Sequence, residues 1–585
     1  MSENILRIAN CSGFYGDRLS AAREMVEGGP IDILTGDYLA ELTMMILFKD
    51  RMKNPSAGFA KTFLRQMEEV LGACMERGIK IVVNAGGLNP AGLAEEMEKL
   101  KQRLGIKATV AHIEGDDLLP RLPELQEQGI ELRHLDKDIP LSSLQQQVVT
   151  ANAYLGAWGI VEALNRGADV VICPRVTDAA LTLGPAAWKF GWGREDWDQL
   201  AAGVVAGHII ECGAQCTGGN YSFFKDVPNI DKIGFPIAEM HADGSFVVTK
   251  HPGTGGLVSV GTVTAQLLYE IQGLRYLNPD VTTRFDSIRL TQEGPHRVLV
   301  SGVKGEPAPS TTKVCINYLG GYKNKMTFVL SGLDIDEKAR LAESTLWKLL
   351  GGHERFADAD VRLVRSDRPD PYSNDDTFAY LHVTVKDPDA NKVGRAFSNK
   401  AVEMALANYP GFFITSPPGE ATPFGVYWPA LVPSELVAHT VVLGGERVAI
   451  APTRASALKV DVPAVKIAAA PTGNTERAPL GLLCGARSGD KGGNANVGLW
   501  VSNPSAYAWL AHYLTADRFQ ELIPESMPLK VERFELPNLL SLNFVVYGLL
   551  GDGVAASTRS DPQAKSFGEF VRAKMVDIPK TLLGA

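Results

Sequence analysis

Short apolar runs alternate with amphipathic segments from residue 5 to about residue 215, and polar, glycine-bearing turns follow several of those runs. This alternation constrains the fold more than any other feature. Ile5–Ala9, Ile31–Leu34, Ile79–Val83, Ala108–Ile113 and Ala168–Cys173 read as strands, several of them buried on both faces. Between them, Leu19–Glu27, Ala40–Lys49, Ala57–Arg77, Ala91–Leu104 and Ile160–Arg166 fit helices. Strands alternating with helices predict βαβ units and a mostly parallel sheet. The turns are Asn10-Cys-Ser-Gly-Phe-Tyr-Gly-Asp17, Thr35-Gly-Asp-Tyr38, Asn84-Ala-Gly-Gly-Leu-Asn-Pro90 and Pro174-Arg-Val-Thr-Asp178. Ligands of open α/β sheets bind beyond the carboxyl ends of the strands, so polar side chains gathered there predict a small-molecule site.

The remainder reads differently. Residues 1–465 form a large α/β region, with a βαβ-rich part (1–240) and a mixed α+β part (241–465). Within the second part, Pro423–Pro433 reads as irregular structure, because proline is a poor strand residue. Residues 466–479, small, polar and proline-bearing, read as a linker. Residues 480–585 read as a small α+β unit compatible with a ferredoxin-like sandwich, with a glycine-rich turn at Arg487–Asn496 between its first two strands.

Charge and cysteine content narrow the function class. The 585 residues carry a net charge of −9, which argues against a general nucleic-acid binder. The seven cysteines are unevenly spread and do not make a disulfide framework. No apolar stretch approaches the roughly 20 residues a bilayer requires. The N-terminus lacks the charged-then-apolar pattern of a signal peptide. The expectation is a cytoplasmic protein without membrane or nucleic-acid partners, assembled as a homo-oligomer.

Several residues are candidates for chemistry. Asp17 either caps the helix that follows or enters the pocket. Asp37 and Glu41 are spaced i, i+4; on a helix they would share a face, for acid–base work or for holding a divalent cation. Arg175 can bind a carboxylate or phosphate, and Asp178 can orient it or cap the next helix. Glu211, Cys212, Cys216 and nearby His208 invite zinc, but a second ligand pair is missing; Cys216 is also a candidate nucleophile. A glycine-rich turn ending at Asn220 and packed against a ligand is the better reading. Gly253, Thr254 and Gly255 lie in His251-Pro-Gly-Thr-Gly-Gly256, whose backbone N–H groups can hold an anion. Arg487, Lys491 and Gly492, with Asp490, sit in the C-terminal glycine-rich stretch and either bind phosphates or dock the small domain.

Asn10–Arg18, Leu34–Leu42, Asn152-Ala-Tyr-Leu-Gly156, Cys173–Asp178 and Cys212–Tyr221 resemble the acyclic terpene utilisation AtuA family. Arg487–Asn496 is similar to the turn of the small C-terminal domain found in longer members. The resemblance covers nearly the whole chain. It implies a place in the breakdown of citronellol- and geraniol-type compounds, whose pathways run through branched acyl-CoA thioesters. The expected activity is therefore hydratase, dehydratase or lyase chemistry on an acyl-CoA, with coenzyme A carried in by the substrate and no tightly bound cofactor. In that scheme Asp37 and Glu41 supply acid–base catalysis, Asn84 and Asn220 orient a carbonyl, Arg175 holds a carboxylate with help from Asp178, and Arg487 and Lys491 neutralise CoA phosphates. Two other expectations stand beside it: a non-catalytic acyl-CoA-binding or scaffold subunit, and an NAD(P)-dependent oxidoreductase. The first turn lacks the Gly-x-Gly-x-x-Gly spacing the last of these would favour.

Overall fold

The computed structural model describes residues 5–453, 455 and 466–583. The extreme N-terminus and the end of the predicted large region, at 454 and 456–465, lie outside the described residues. The chain forms two compact units, one of residues 1–317, 427–554 and 561–585, the other of residues 318–426 and 555–560.

The first unit is built on an eleven-stranded sheet. At its centre Ile5–Asn10, Ile33–Gly36, Lys80–Gly87, Val170–Pro174 and Val110–Glu114 run parallel in that spatial order. The register Leu34↔Ile81 and Ile81↔Val170 keeps the apolar runs aligned. Helix Lys61–Arg77 buries Phe63, Met67, Val70, Leu71 and Cys74, an i, i+3, i+4 stripe, and stops at Gly78, whose φ of 69° suits glycine. Helix Pro90–Leu104 buries Leu93, Met97 and Leu100 beside it; the Asn89 side chain caps it by accepting from Gly92 N–H. Helices Ala180–Phe190 and Trp197–Ile210 also pack on the sheet. Alternate strand residues such as Ile8, Ile33, Val82 and Val171 are therefore as buried as their neighbours.

A mostly parallel sheet was expected, and the sheet is mixed. Pro236–His241 pairs antiparallel with Ile5–Asn10, and Phe246–Lys250, Arg297–Ser301 and Arg289–Gly294 extend that side. On the far side His439–Leu443 pairs antiparallel with Val110–Glu114, and Glu446–Ile450 follows. Each flank is partly hairpin, since antiparallel neighbours need only a short turn, but its join to the parallel core is a long-range antiparallel pair that no local pattern announces. Gly444 and Gly445, with φ of 58° and 86°, give the last hairpin the double positive φ its tight turn requires.

Two further expectations are corrected. Thr422–Pro433 is a strand, paired with Thr311–Ser331; its prolines are tolerated because, among the described residues, no second strand bonds its other edge. Arg487 does not lie in a turn. Gly485–Lys491 and Asn494–Trp500 are a strand pair joined only by Gly492-Gly493. The glycines of this hairpin mark close packing: a Cβ on Gly489 would sit 2.6 Å from the Tyr269 ring, and one on Gly498 would sit 2.4 Å from Leu268. With Ser541–Val546 and Val531–Leu536 the hairpin completes a four-stranded antiparallel sheet covered by Pro504–Tyr513, Ala516–Leu522 and Phe567–Arg572. This α+β element belongs to the first unit.

The second unit is an antiparallel sheet in which Phe378–Asp387 pairs on one side with Asp358–Arg365 and on the other with residues 322–331. Helices Ile335–Leu350 and Arg395–Glu403 contribute to its own core around Phe328, Leu346, Leu381 and Phe397.

Candidate functional site

The carboxyl ends of the parallel strands deliver one polar cluster. Asp37 follows the second strand in chain order and is 6 % exposed. Asn84, fully buried near the end of the third, donates to the Asp37 carboxylate at 2.5 Å and accepts from Tyr38 N–H at 2.7 Å. Both ends of its amide are thus used to fix Asp37. Arg175 follows Val170–Pro174 and is 2 % exposed; it donates to Asp178 at 3.0 Å, and its guanidinium lies 4.3 Å over the Tyr154 ring. Arg175 Nε and Nη1 are buried without a partner. Behind them Asp116 accepts from Asn152 at 2.7 Å and from Arg175 N–H at 3.2 Å.

The first turn contributes by positioning. Asn10 donates to the carbonyls of Ile210 and Glu211 at 2.6 and 2.9 Å, which anchors the carboxyl end of Trp197–Ile210 and sets Glu211 in the cluster. Gly13 lets that turn approach closely, since a Cβ there would stand 2.7 Å from the Cys212 carbonyl carbon. The close approach is to protein backbone. Asp17 accepts from Gly13 and Arg18 N–H and closes the turn; the helix beyond starts later, at Ala21.

Carboxylate oxygens of Asp37, Asp178 and Glu211 all lie within 4.8 Å of one another. Burial, reinforced by Asp178 and Glu211, pushes the Asp37 carboxyl well above the usual carboxylate range. Burial with Asp178 and Glu270 does the same to Glu211. Asp178 is raised by burial against the pull of Arg175. Glu41 behaves oppositely. Helix Glu41–Lys53 begins at this residue, so Asp37 and Glu41 do not share a helical face. Glu41 accepts from the Tyr154 hydroxyl at 3.2 Å and from Lys313 at 3.4 Å. Burial alone would raise its carboxyl, but Lys313 and Arg175 bring it down to about 2.

The small α+β element closes this end of the sheet. Arg487 is buried and donates to the Asn220 carbonyl at 3.2 Å and to the Gln215 side chain, with Tyr269 4.5 Å beneath it. Its position is that of a docking residue. Lys491, at the hairpin end, lies 5.8 Å from the Tyr276 ring centroid, and its charge acts on Glu41, Asp178 and Glu211. Gly492 follows it into the turn, close to Tyr427. Asp490 is pushed up to about 7 by burial and by Glu270, against Lys565, which bridges both acids at 3.5 and 3.3 Å.

The structure thus brings together Asp37, Glu41, Asn84, Arg175, Asp178 and Lys491. Asn220 is exposed and reaches the site only through its backbone contact with Arg487. Gly253, Thr254 and Gly255 stay apart: Gly255 and Gly256 N–H groups are used by the Lys232 and Pro228 carbonyls, and the Thr254 hydroxyl donates to His251. Burial pushes the Cys212 and Cys216 thiols up, the reverse of what a thiolate nucleophile needs. His208 faces Glu211 rather than the cysteines. Lys313, Glu270, Tyr276 and Lys565 escaped sequence reasoning, for they come from segments without strand-end turns; Tyr154 lay inside Asn152–Gly156 and could have been found there. A surface cavity of about 480 Å³ lies instead at the amino-terminal side of the core strands, around Lys101, Thr109 and Asp169, away from this cluster.

The family model described as acyclic terpene utilisation family protein AtuA matches residues 6–443, and the AtuA ferredoxin-like domain matches residues 478–577. The chain belongs to the acyclic terpene utilisation family AtuA. Comparison with curated proteins and with solved structures found no match. Membership ties the chain to acyclic terpene utilisation, and the second match covers the element that carries Arg487 and Lys491. Among the described residues, no helix of this AtuA family member is long and apolar enough to cross a membrane.

Proposed function

We propose that this AtuA family member is an enzyme of acyclic terpene or branched-chain acid catabolism that acts on an acyl-CoA thioester by a hydration, dehydration or carbon–carbon lyase step. One juxtaposition carries the reading: a buried carboxyl with high proton affinity, Asp37, stands beside a buried guanidinium with two donors to spare, Arg175. These reactions share one need. A proton leaves or joins the carbon next to the thioester carbonyl while the electron pair moves to or from the carbonyl oxygen. Asp37 carries the proton, since burial beside Asp178 and Glu211 raises its carboxyl and strengthens its hold on a proton. Arg175 donors meet the developing oxyanion or a substrate carboxylate, and Asp178 holds the guanidinium in place. Asn84 is a positioning residue for Asp37. Lys491 and Lys313 draw in an anionic substrate, and Arg487 secures the element that carries Lys491.

The test is turnover of branched and straight acyl-CoA esters followed by mass spectrometry, with thermal stabilisation as the binding readout. A branched ester at a hundredfold excess over its Kd stabilises the chain by about 2.7 kcal/mol. Asp37→Asn lowers kcat by roughly 10²–10⁴ with the ester still bound. Full activity in Asp37→Asn, or no stabilisation by any CoA ester, sinks the reading; binding without turnover of any ester leaves the non-catalytic subunit.

A further inference from the structure

Asp37, Asp178 and Glu211 come from three separate elements, a strand end, a strand-to-helix turn and a helix end, and their oxygens converge within 4.8 Å. Ionised carboxylates so close repel one another unless a proton or positive charge stands between them. The charges of Arg175 and Lys491 act on these acids, but direct contact is sparse. Arg175 reaches Asp178 alone at 3.0 Å, and among the described residues no lysine or arginine ion-pairs with Asp37 or Glu211. Glu211 Oε2 is buried without a partner. A second observation points to a ligand. Arg175 is 2 % exposed and keeps Nε and Nη1 buried without a hydrogen-bond partner. His208, 1 % exposed, sets Nδ1 3.3 Å from Glu211 Oε1.

We infer that Asp37, Asp178 and Glu211 bind one hard divalent cation of the Mg²⁺ or Mn²⁺ class. Three carboxylate oxygens suit such ions, whose ligands lie at about 2.0–2.1 Å, so that opposite ligands stand about 4.2 Å apart. Modest side-chain rotation closes the observed spacing. The three acids leave coordination positions for water or a substrate oxygen, and the spare nitrogens of Arg175 are available to an anionic group bound next to the ion. His208 steadies Glu211, as outer partners of metal ligands do. This site goes beyond the thioester reading: with the ion bound, Asp37 is a carboxylate ligand and does not carry the proton. It is tested without substrate, so the two can fail separately.

The experiment uses the full chain, stripped with a chelator and desalted, and titrates it with Mn²⁺ alone. Free Mn²⁺ is followed by its EPR signal and melting by circular dichroism. The expected result is saturable binding of one Mn²⁺ per chain, displaced by Mg²⁺, with a rise in melting temperature. Glu211→Gln and Asp178→Asn each weaken Mn²⁺ binding by about tenfold or more. Glu96→Gln, on the exposed face of helix Pro90–Leu104 where it pairs with Lys99, leaves it within about twofold. For wild-type protein, Fe²⁺ with ascorbate and peroxide is expected to cleave the chain near residues 37, 178 and 211, a readout that needs no variant to fold. Absence of saturable binding at millimolar Mn²⁺, unchanged affinity in folded Glu211→Gln and Asp178→Asn, or cleavage confined to other segments overturns the site.

Discussion

Asp37 is sealed into the acidic wall of the site, and Glu41, four residues on, stands in its basic wall. The first is packed among Asp178 and Glu211 and accepts from the Asn84 amide and the Leu39 N–H. The second faces Lys313 and the Tyr154 hydroxyl and is about a third exposed. The same functional group is therefore driven up in proton affinity on one wall and down on the other. Each wall has a separate use: one stores a proton or gathers a cation, the other keeps a fixed negative charge that holds Lys313 and Tyr154 in place.

The most damaging way to break this comparison is Arg175→Ala. Arg175 touches both walls, through Asp178 on one side and the Tyr154 ring on the other. Removing a buried partner leaves charge uncompensated, and the expected loss is about 3–5 kcal/mol, read as a lower urea midpoint. Saturating Mn²⁺ is expected to recover part of it, because the ion compensates the same acids. A loss below about 1 kcal/mol, typical of a surface pair, would mean that water already solvates the acidic wall.

Asp37→Asn comes next and has the opposite sign. An unfolded aspartate titrates near 3.9, and the native one well above. Between those values the native chain holds more protons, so its stability falls as pH rises through the window. In chelator-treated protein the variant is expected to be more stable than wild type at neutral pH, on the order of 1–3 kcal/mol, and to match it below about pH 4. Melting temperature against pH checks this. With Mn²⁺ present the order reverses, since wild type then gains the ion's binding energy.

The two walls also differ in how much of them the sequence reveals. Asp37, Asn84, Arg175 and Asp178 stand where buried parallel strands end, so apolar periodicity followed by a turn was enough to find them. Glu211 lies at the end of a helix whose residues Leu200–Ile210 are all buried, and in the sequence it reads with Cys212, Cys216 and His208 as a zinc candidate rather than as a neighbour of Asp37 and Asp178. Lys313 comes from a long strand of a different sheet from the parallel core, with no strand-end turn to announce it. The antiparallel flanks were missed because the βαβ pattern covers only the centre of the sheet. Arg487 and Lys491 were found but set in a turn, because glycine and asparagine signal turns; here glycine is small enough for Tyr269 and Leu268 to pack against a strand pair.

Glu41→Gln gives the smallest effect and the sharpest contrast. Native Glu41 is held at about 2, against about 4.3 in an unfolded chain. Its carboxylate therefore adds stability above the unfolded value and loses that contribution as pH falls toward about 2. Glu41 and Lys313 are 31 % and 25 % exposed, and solvent weakens the pair, so the loss at neutral pH is expected to be only about 0.5–1 kcal/mol. Added salt should shrink it further. Wild-type and variant curves are expected to converge in acid and separate on the alkaline side, with the variant below. For Asp37→Asn the curves also separate toward alkaline pH, but with the variant above. If both variants move the same way, the walls are not electrostatically distinct, and the site is one pool of charge in which Arg175, Lys313 and Lys491 serve every acid alike.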